Sequence, residues 1–215
     1  MDIAGLDGGW NRSWPGCPPE ARRLRHRFPE HWIRFRTLPE GKRYATSDAE
    51  HAEILRRQHV LLEELLGDAA AGGGALVAIT CSWSTTGSPT PRDSAVAATT
   101  HGAVHWRSDD LATDPGFHSW WHFHVSPTDL RDPALDRLLL CVADDMTDGV
   151  ILTEPACTWA VHPYDGGVDV FAANIAVRDE LARAHAEWLP PALMPSVATA
   201  VTHRTPVRPP PLPGS

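Results

Sequence analysis

The segment WWHFHV places two histidines, His122 and His124, one residue apart in the chain. On a strand, residues at this spacing share one face, and two such imidazoles can bind one transition-metal ion. A metal site needs more ligands, which a wider set could supply: His101, His105, His118, His162, Asp165 and Asp169. The chain contains 12 histidines, however, so two of them can stand close together by chance. The segment therefore predicts either a site for one divalent transition metal or a plain strand with no cofactor.

Other residue types suited to catalysis follow weaker patterns. Cys81, Ser82 and Ser84 end a predicted strand, but the GxSxG turn of many serine hydrolases is absent. A catalytic triad is defined by geometry, which the sequence does not supply. The aspartates of the segment DDMTD lack the DxDxDG spacing of calcium-binding loops, so we assign them to a solvated turn after a helix.

The segment HPYDGG is typical of the turn of a β-hairpin, which we place over residues 158–172. The turn itself requires only the glycines and the aspartate of this segment. It does not require the proline or the tyrosine. We therefore name four candidate binding residues: Trp159, His162, Tyr164 and Asp165. The alternative is structural, with the tyrosine packed over the sheet and the aspartate capping the turn.

Three helices are predicted to position these segments. A capping box that begins at Ser47 predicts a helix over about 48–66. An aspartate N-cap followed by proline, and then a leucine-rich stretch, predicts a second helix over about 133–146. A third helix, over about 177–189, ends before two consecutive prolines.

Three short strands follow each of the first two helices, which gives the order αβββ-αβββ-α. Hairpins and short strands between helices predict an α+β fold, a single domain with a mainly antiparallel sheet. In the strand WWHFHV, alternation places Trp121, Phe123 and Val125 on the core side and the histidines on the other side. In the hairpin, a four-residue connection would pair Val161 with Val168 and place the apolar residues on one face.

Charge is distributed unevenly along the chain. Residues 1–43 hold nine basic and five acidic side chains, and residues 44–170 hold six basic and 19 acidic ones. An acidic centre argues against a nucleic-acid surface and suits a basic protein partner. We predict a basic, irregular arm over 1–42, an α+β core domain over 43–190 and a proline-rich flexible tail over 191–215.

Further features bear on the compartment. The N-terminal segment lacks the basic start and apolar core of a secretory signal, and no run of about 18 apolar residues could cross a membrane. Four cysteines are scattered without a CxxC pair, which indicates buried, reduced thiols. A single lysine among the 19 basic residues indicates a GC-rich bacterial genome. These features predict a cytoplasmic bacterial protein.

One long stretch resembles a known group of proteins. A leucine-rich helix ends in VADDM, the hairpin matches W-x-x-HPYDGG-x-DV, and an RD-x-L…WL helix follows. This combination resembles a group of uncharacterised bacterial proteins whose helix ends in VADDE, so Met146 stands where the group has an acid. The resemblance covers 43–189 apart from the polar loop before WWHFHV. It implies an ordinary sheet strand for the two histidines, and it implies no activity.

These patterns lead to one functional prediction and one alternative. The acidic centre and the tryptophan-rich faces predict a protein-binding module of the interaction or immunity type. The alternative is a metal-dependent enzyme that uses His122 and His124. At least three converging ligands would favour the enzyme, whereas an exposed charged or aromatic patch would favour the binding module.

Overall fold

Seven strands pair into one antiparallel sheet in the computed structural model, which describes residues 2–191. The strands are β1 (Trp32–Arg36), β2 (Ala75–Ser84), β3 (Val104–Asp110), β4 (Trp120–Asp129), β5 (Ile151–Thr153), β6 (Ala160–Tyr164) and β7 (Gly167–Phe171). The helices are α1 (Ile3–Ser13), α2 (Ala21–Arg27), α3 (Asp48–Leu66), α4 (Ser94–Thr99), α5 (Pro133–Ala143) and α6 (Ile175–Ala184). Short 3₁₀ turns lie at Pro39–Gly41, Gly67–Gly72 and Ala186–Trp188. The predicted α+β class is confirmed.

Helices cover both faces of the sheet, whose strand order is β1-β7-β6-β5-β2-β4-β3. Helices α3, α5 and α6 pack on one face, and α1 and α2 pack on the other. Strand β2 is therefore buried on both sides, with Leu76 and Ala78 in one core and Val77 and Ile79 in the other. This double burial explains its continuous apolar sequence. From α3 onward the predicted αβββ-αβββ-α order holds, with the short helix α4 added.

Helix α3 lies within its predicted bounds because both of its end signals operate. The Ser47 hydroxyl accepts a hydrogen bond from the Glu50 amide at 3.3 Å, and Gly67 ends the helix with a positive φ of 55°. Helix α5 was predicted to continue to residue 146 and ends at Ala143 instead. The reason is local, since Asp145 adopts a φ of 57°, which no α-helix accommodates.

The predicted irregular arm over 1–42 was wrong, because this segment contains α1, α2 and β1. Helix α1 was not predicted because its sequence IAGLDGGWNRS contains three glycines, and glycine disfavours helices. Burial of Leu6 and Trp10 stabilises it nevertheless. Gly9 also has a packing role, because a Cβ there would lie 2.8 Å from the Ala156 carbonyl oxygen.

The predicted hairpin register was also wrong, by two residues. Tyr164 pairs with Gly167 and Val161 with Val170, so the connection is the two-residue turn Asp165-Gly166. Gly166 has a φ of 81°, which suits a tight Asp-Gly turn. A shift of two keeps every side chain on its predicted face, because side chains alternate with a period of two.

The other structural predictions have mixed outcomes. All four cysteines are free, and three of them are buried while Cys141 is half-buried. Phe123 and Val125 are fully buried on the predicted core side of β4. Across residues 2–191, no helix has the length and apolarity to cross a membrane. The predicted tail lies outside the described residues, apart from Pro191.

Candidate functional site

A row of polar side chains crosses the sheet on the face that α2 covers. Arg34, Asp169 and His162 are direct neighbours in the register of β1, β7 and β6. Arg34 donates from Nε to Asp169 Oδ1 at 2.7 Å and from Nη2 to Oδ2 at 2.9 Å. Hydrogen bonding to this carboxylate raises the pKa of Arg34, and Asp169 is only 3% exposed. The two-point ion pair therefore fixes the orientation of the guanidinium.

Tyr164 lies over that guanidinium, with its ring centroid 4.9 Å from Arg34 Cζ. Its hydroxyl reaches across Gly167, where a Cβ would stand 2.2 Å from Tyr164 Oη. Burial raises the pKa of Tyr164 to about 12, so the phenol is neutral at neutral pH. The ring of His162 stacks on the tyrosine at 5.9 Å. The second glycine of the hairpin thus makes room for a side chain of the site.

Helix α2 forms the roof over this row. Leu24 is fully buried against the sheet, and the Glu20 carboxylate caps the helix by accepting from two backbone amides of the first turn. Arg25 extends from the helix to 4.0 Å from Asp169, and its guanidinium lies 5.5 Å from the centroid of Trp32. The roof is therefore joined to the ion pair by charge as well as by apolar packing.

A cleft opens between α2 and the loop over residues 111–119. It consists of two hollows of about 920 Å³ and 220 Å³, whose walls share Glu20, Arg22, Arg25 and Trp121. Beyond these, the smaller hollow is lined by Ala21, Arg34, Asp148, Gly149, His162, Tyr164 and Asp169. We call the two hollows together the α2 cleft.

The larger hollow combines cationic and aromatic side chains. Arg22, Arg23 and Arg27 line it from α2, while Phe117 and Trp121 line it from the other side of the cleft. Arg23 donates to a loop carbonyl at 2.8 Å, but within residues 2–191 neither Arg22 nor Arg27 forms an ion pair. Phe117 is 60% exposed, unusually high for a large apolar side chain. The cleft can therefore accept negative charge and apolar surface together.

The structure separates the four binding residues predicted in the hairpin. His162 and Tyr164 line the α2 cleft. Trp159 is buried in the core on the opposite face of the sheet. Asp165 stays in the turn, where it accepts hydrogen bonds from Arg43 and from the Tyr44 hydroxyl. Only two of the four therefore line the cleft, and a binding role for any of them stays a prediction.

Sequence reasoning missed the residues that complete the site. Arg34, Arg25 and the aspartate of the ion pair were not named as binding residues, because 135 residues separate Arg34 from Asp169. The basic stretch ARRLRHRF was the available signal for α2. Its alternation of arginines around one leucine fits a short helix with one buried side chain.

His122 and His124 lie on the other face of the sheet. His122 is fully buried, with Nε2 2.8 Å from Ser84 Oγ and Nδ1 2.7 Å from Ser108 Oγ. Ser108 Oγ in turn lies 2.9 Å from Nε2 of the exposed His105. Burial lowers the pKa of His122, and electrostatic repulsion from His105 lowers it further. The ring is therefore neutral at neutral pH. Both of its nitrogens are engaged by serine hydroxyls.

His124 is half-buried, and its ring lies 5.4 Å from that of His105. Burial and then the Arg92 charge lower the pKa of His124 to about 4. In the part of the chain that the structure describes, no group of three or more histidine, cysteine, aspartate or glutamate side chains is arranged to hold a metal. A metal at His122 and His124 stays a prediction, which elemental analysis of the purified protein tests.

Comparison with known proteins adds one finding. A family model described as "Domain of unknown function (DUF3885)" matches residues 21–192, a range that includes α2 and all seven strands. Searches of curated proteins and of solved structures give no match. The hairpin motif and the bacterial grouping of the resemblance stay predictions. Because the model matches most of the chain, the protein belongs to the DUF3885 family, a domain of unknown function.

Proposed function

We propose that this protein is a protein-binding module, and that its α2 cleft receives an acidic segment of the partner that carries an aromatic or aliphatic side chain. The observation that carries the proposal is the combination, in one cleft, of an exposed phenylalanine with two arginines, Arg22 and Arg27, that form no ion pair within the described residues. Arginine binds carboxylates at two points, and an apolar anchor in a cleft supplies most of the binding energy at many interfaces.

The size of the cleft supports this proposal. Its larger hollow, of about 920 Å³, is in the range of sites that hold a drug-sized ligand, which is enough room for an anchoring side chain and its neighbours. Trp121 belongs to both hollows and packs edge-on against Trp83 at 5.5 Å. A bound segment could therefore contact one continuous aromatic surface.

The rigidity of the cleft floor also supports it. Asp169 holds Arg34 at two points, and Tyr164 covers the guanidinium. Side chains that are already held in place lose little conformational entropy when a ligand binds. The floor thus offers a fixed surface. Arg22 and Arg27 are exposed and available to bind the carboxylates of the partner.

A basic partner, which the net charge of −8 favours at long range, is the second partner class. We place its contact outside the α2 cleft, because the arginines of α2 would repel it. The protein could bind partners of both classes at different surfaces.

The experiment measures binding of two fluorescent peptides of equal length to the full-length protein by anisotropy. One peptide has glutamates around a central phenylalanine, and the other has lysines around it. We expect the glutamate peptide to bind in the cleft, with an affinity that falls as salt rises. Tighter binding of the lysine peptide at this cleft would overturn the proposal.

A matched pair of variants locates the site. Arg22→Ala/Arg27→Ala removes two exposed arginines from the cleft, and Arg137→Ala/Arg183→Ala removes two from α5 and α6. Both variants change the net charge equally. We expect the first variant to bind the glutamate peptide more weakly by on the order of tenfold, and the second to bind it with unchanged affinity. An equal loss in both would mean that the overall charge of the protein, and not the α2 cleft, sets the affinity for the peptide.

A further inference from the structure

We propose that Ser84 is a nucleophile activated by His122, and that it accepts an acyl group from small activated carboxylic esters. The site lies on the opposite face of the sheet from the α2 cleft. Ser84 Oγ is 2.8 Å from His122 Nε2, which is the separation expected of a nucleophile and its general base. Ser84 is half-buried at the end of β2, and the following residues 85–89 are exposed, so the proposed reaction takes place at a solvent-facing end of the sheet.

Paired strands hold these groups in position. His122 on β4 pairs with Ser82 on β2 and with Ser108 on β3. The imidazole is fully buried, and each of its nitrogens has a hydroxyl partner, so the ring has one orientation. Groups fixed on strands are placed more accurately than groups on loops.

The protons of this hydrogen-bonded chain can be arranged in two directions. In the first, Ser84 donates to the Thr86 carbonyl at 2.6 Å and accepts from His122 Nε2. In the second, Ser84 donates to Nε2, His122 Nδ1 donates to Ser108, and Ser108 donates to His105. The second arrangement directs a lone pair of Nε2 at the serine hydroxyl. It is the arrangement that general-base catalysis requires.

The proposed reaction is an acyl transfer to the serine followed by hydrolysis. Ser84 Oγ bonds to the ester carbonyl carbon while its proton moves to His122 Nε2. The bond from that carbon to the alcohol oxygen then breaks, and the alcohol leaves with the proton. Water attacks the acyl-serine by the same route, which releases the acid and restores the serine hydroxyl.

The chain through Ser108 replaces the carboxylate of a serine–histidine–aspartate triad. In such a triad the carboxylate stabilises the protonated imidazole. Here the hydroxyl of Ser108 joins His122 Nδ1 to His105, which is exposed. Positive charge can thus move from a buried ring to one in contact with water, where it is hydrated.

The test treats full-length protein with p-nitrophenyl acetate in the presence of a metal chelator. Release of p-nitrophenolate gives the rate, and peptide mass spectrometry gives the acetylated residue. We expect acetylation of Ser84, its loss in Ser84→Ala, and no change in Ser88→Ala, which alters an exposed serine in the same loop. His122→Gln should slow the acetylation by on the order of a hundredfold.

Further variants separate catalysis from folding, which circular dichroism checks for each protein. Ser108→Ala should slow the reaction and Ser108→Thr should restore it, because only the hydroxyl is needed. His105→Ala changes an exposed side chain, so it reports on the hydrogen-bonded chain even if His122→Gln fails to fold. The proposal would be overturned if Ser84 were acetylated no faster than Ser88. It would also be overturned if neither His122→Gln nor His105→Ala changed the rate of acetylation.

Discussion

Arg34 and Asp169 stand 135 residues apart in the chain, yet they are joined by two hydrogen bonds of 2.7 Å and 2.9 Å. We predict that Arg34→Met destabilises the protein more than Asp169→Asn does. The first leaves a carboxylate whose side chain is 4% exposed, at a cost of about 3 kcal/mol, the low end for a broken buried ion pair because Arg25 remains at 4.0 Å. The second leaves a guanidinium that is 32% exposed and can be hydrated.

Urea unfolding of both variants and of the double variant measures this difference. The double variant should be more stable than the sum of the two single losses implies, because it leaves neither the carboxylate of Asp169 nor the guanidinium of Arg34 without the other. Strictly additive losses would show that the ion pair contributes nothing beyond the separate side chains.

Gly167→Ala is predicted to displace Tyr164 from Arg34. The new Cβ would lie 2.2 Å from Tyr164 Oη, so the ring must move. We expect the free energy of unfolding to fall by about 1–3 kcal/mol, measured with urea. Gly8→Ala is the control, because a Cβ there has nothing within 4 Å and lies in a helix. Adding Tyr164→Ala to Gly167→Ala should recover part of the loss; no recovery would place the strain elsewhere.

Acid is predicted to destabilise the protein through His124. The folded pKa is about 4 and the ordinary value is 6.5, so the unfolded chain binds the proton first. The contribution of His124 to the free energy of unfolding is complete above pH 6.5 and is lost as the pH falls towards 4. It should amount to about 2 kcal/mol between neutral pH and about pH 5.

Urea unfolding at those two pH values tests this prediction. His124→Gln should reduce the difference in stability between them, and His101→Gln, which changes an exposed histidine, should not. Arg92, His105 and His122 are the charged or titratable neighbours of the ring and are unchanged in both variants. An equal pH dependence in His124→Gln and the parent protein would contradict the assignment.

The buried thiols are predicted to be unreactive. Burial raises the pKa of Cys17 to about 11 and that of Cys157 to about 12, and it raises the pKa of Cys81 as well. Thiolates are the reactive form, so a disulfide reagent at neutral pH should modify the half-buried Cys141 first. All four should react in urea. Rapid modification of a second thiol in the folded protein would show that its burial is incomplete.

Sequence patterns located elements wherever a local signal was strong. Helix α3 was predicted within its bounds because a capping serine and a terminal glycine both act within a few residues of the ends. Helix α1 was missed because its stability comes from long-range packing, such as the hydrogen bond from the indole of Trp14, the residue that caps its C-terminus, to the Cys157 carbonyl at 3.0 Å. No local pattern reports a contact over that distance in sequence.

The same distinction between local signals and long-range contacts applies to the candidate sites. The histidines of WWHFHV were found from their spacing, but their serine partners come from two neighbouring strands. The α2 cleft needs the register of β1, β7 and β6, which pairs residues that no local pattern connects. Residue types could therefore be predicted from sequence, whereas their partners required the folded sheet.

The order of the strands also has a consequence for synthesis on the ribosome. β1 is the first strand made, and its one partner in the described sheet is β7, the last strand made. At translation rates of about 5–20 residues per second, β1 waits on the order of ten seconds for that partner. From Ile33 onward its sequence WIRFR alternates apolar and charged side chains, and charge on an unpaired strand discourages pairing with other chains. The sheet is thus completed only when the hairpin emerges, and truncation before β7 would leave the N-terminal strand without its place in the fold.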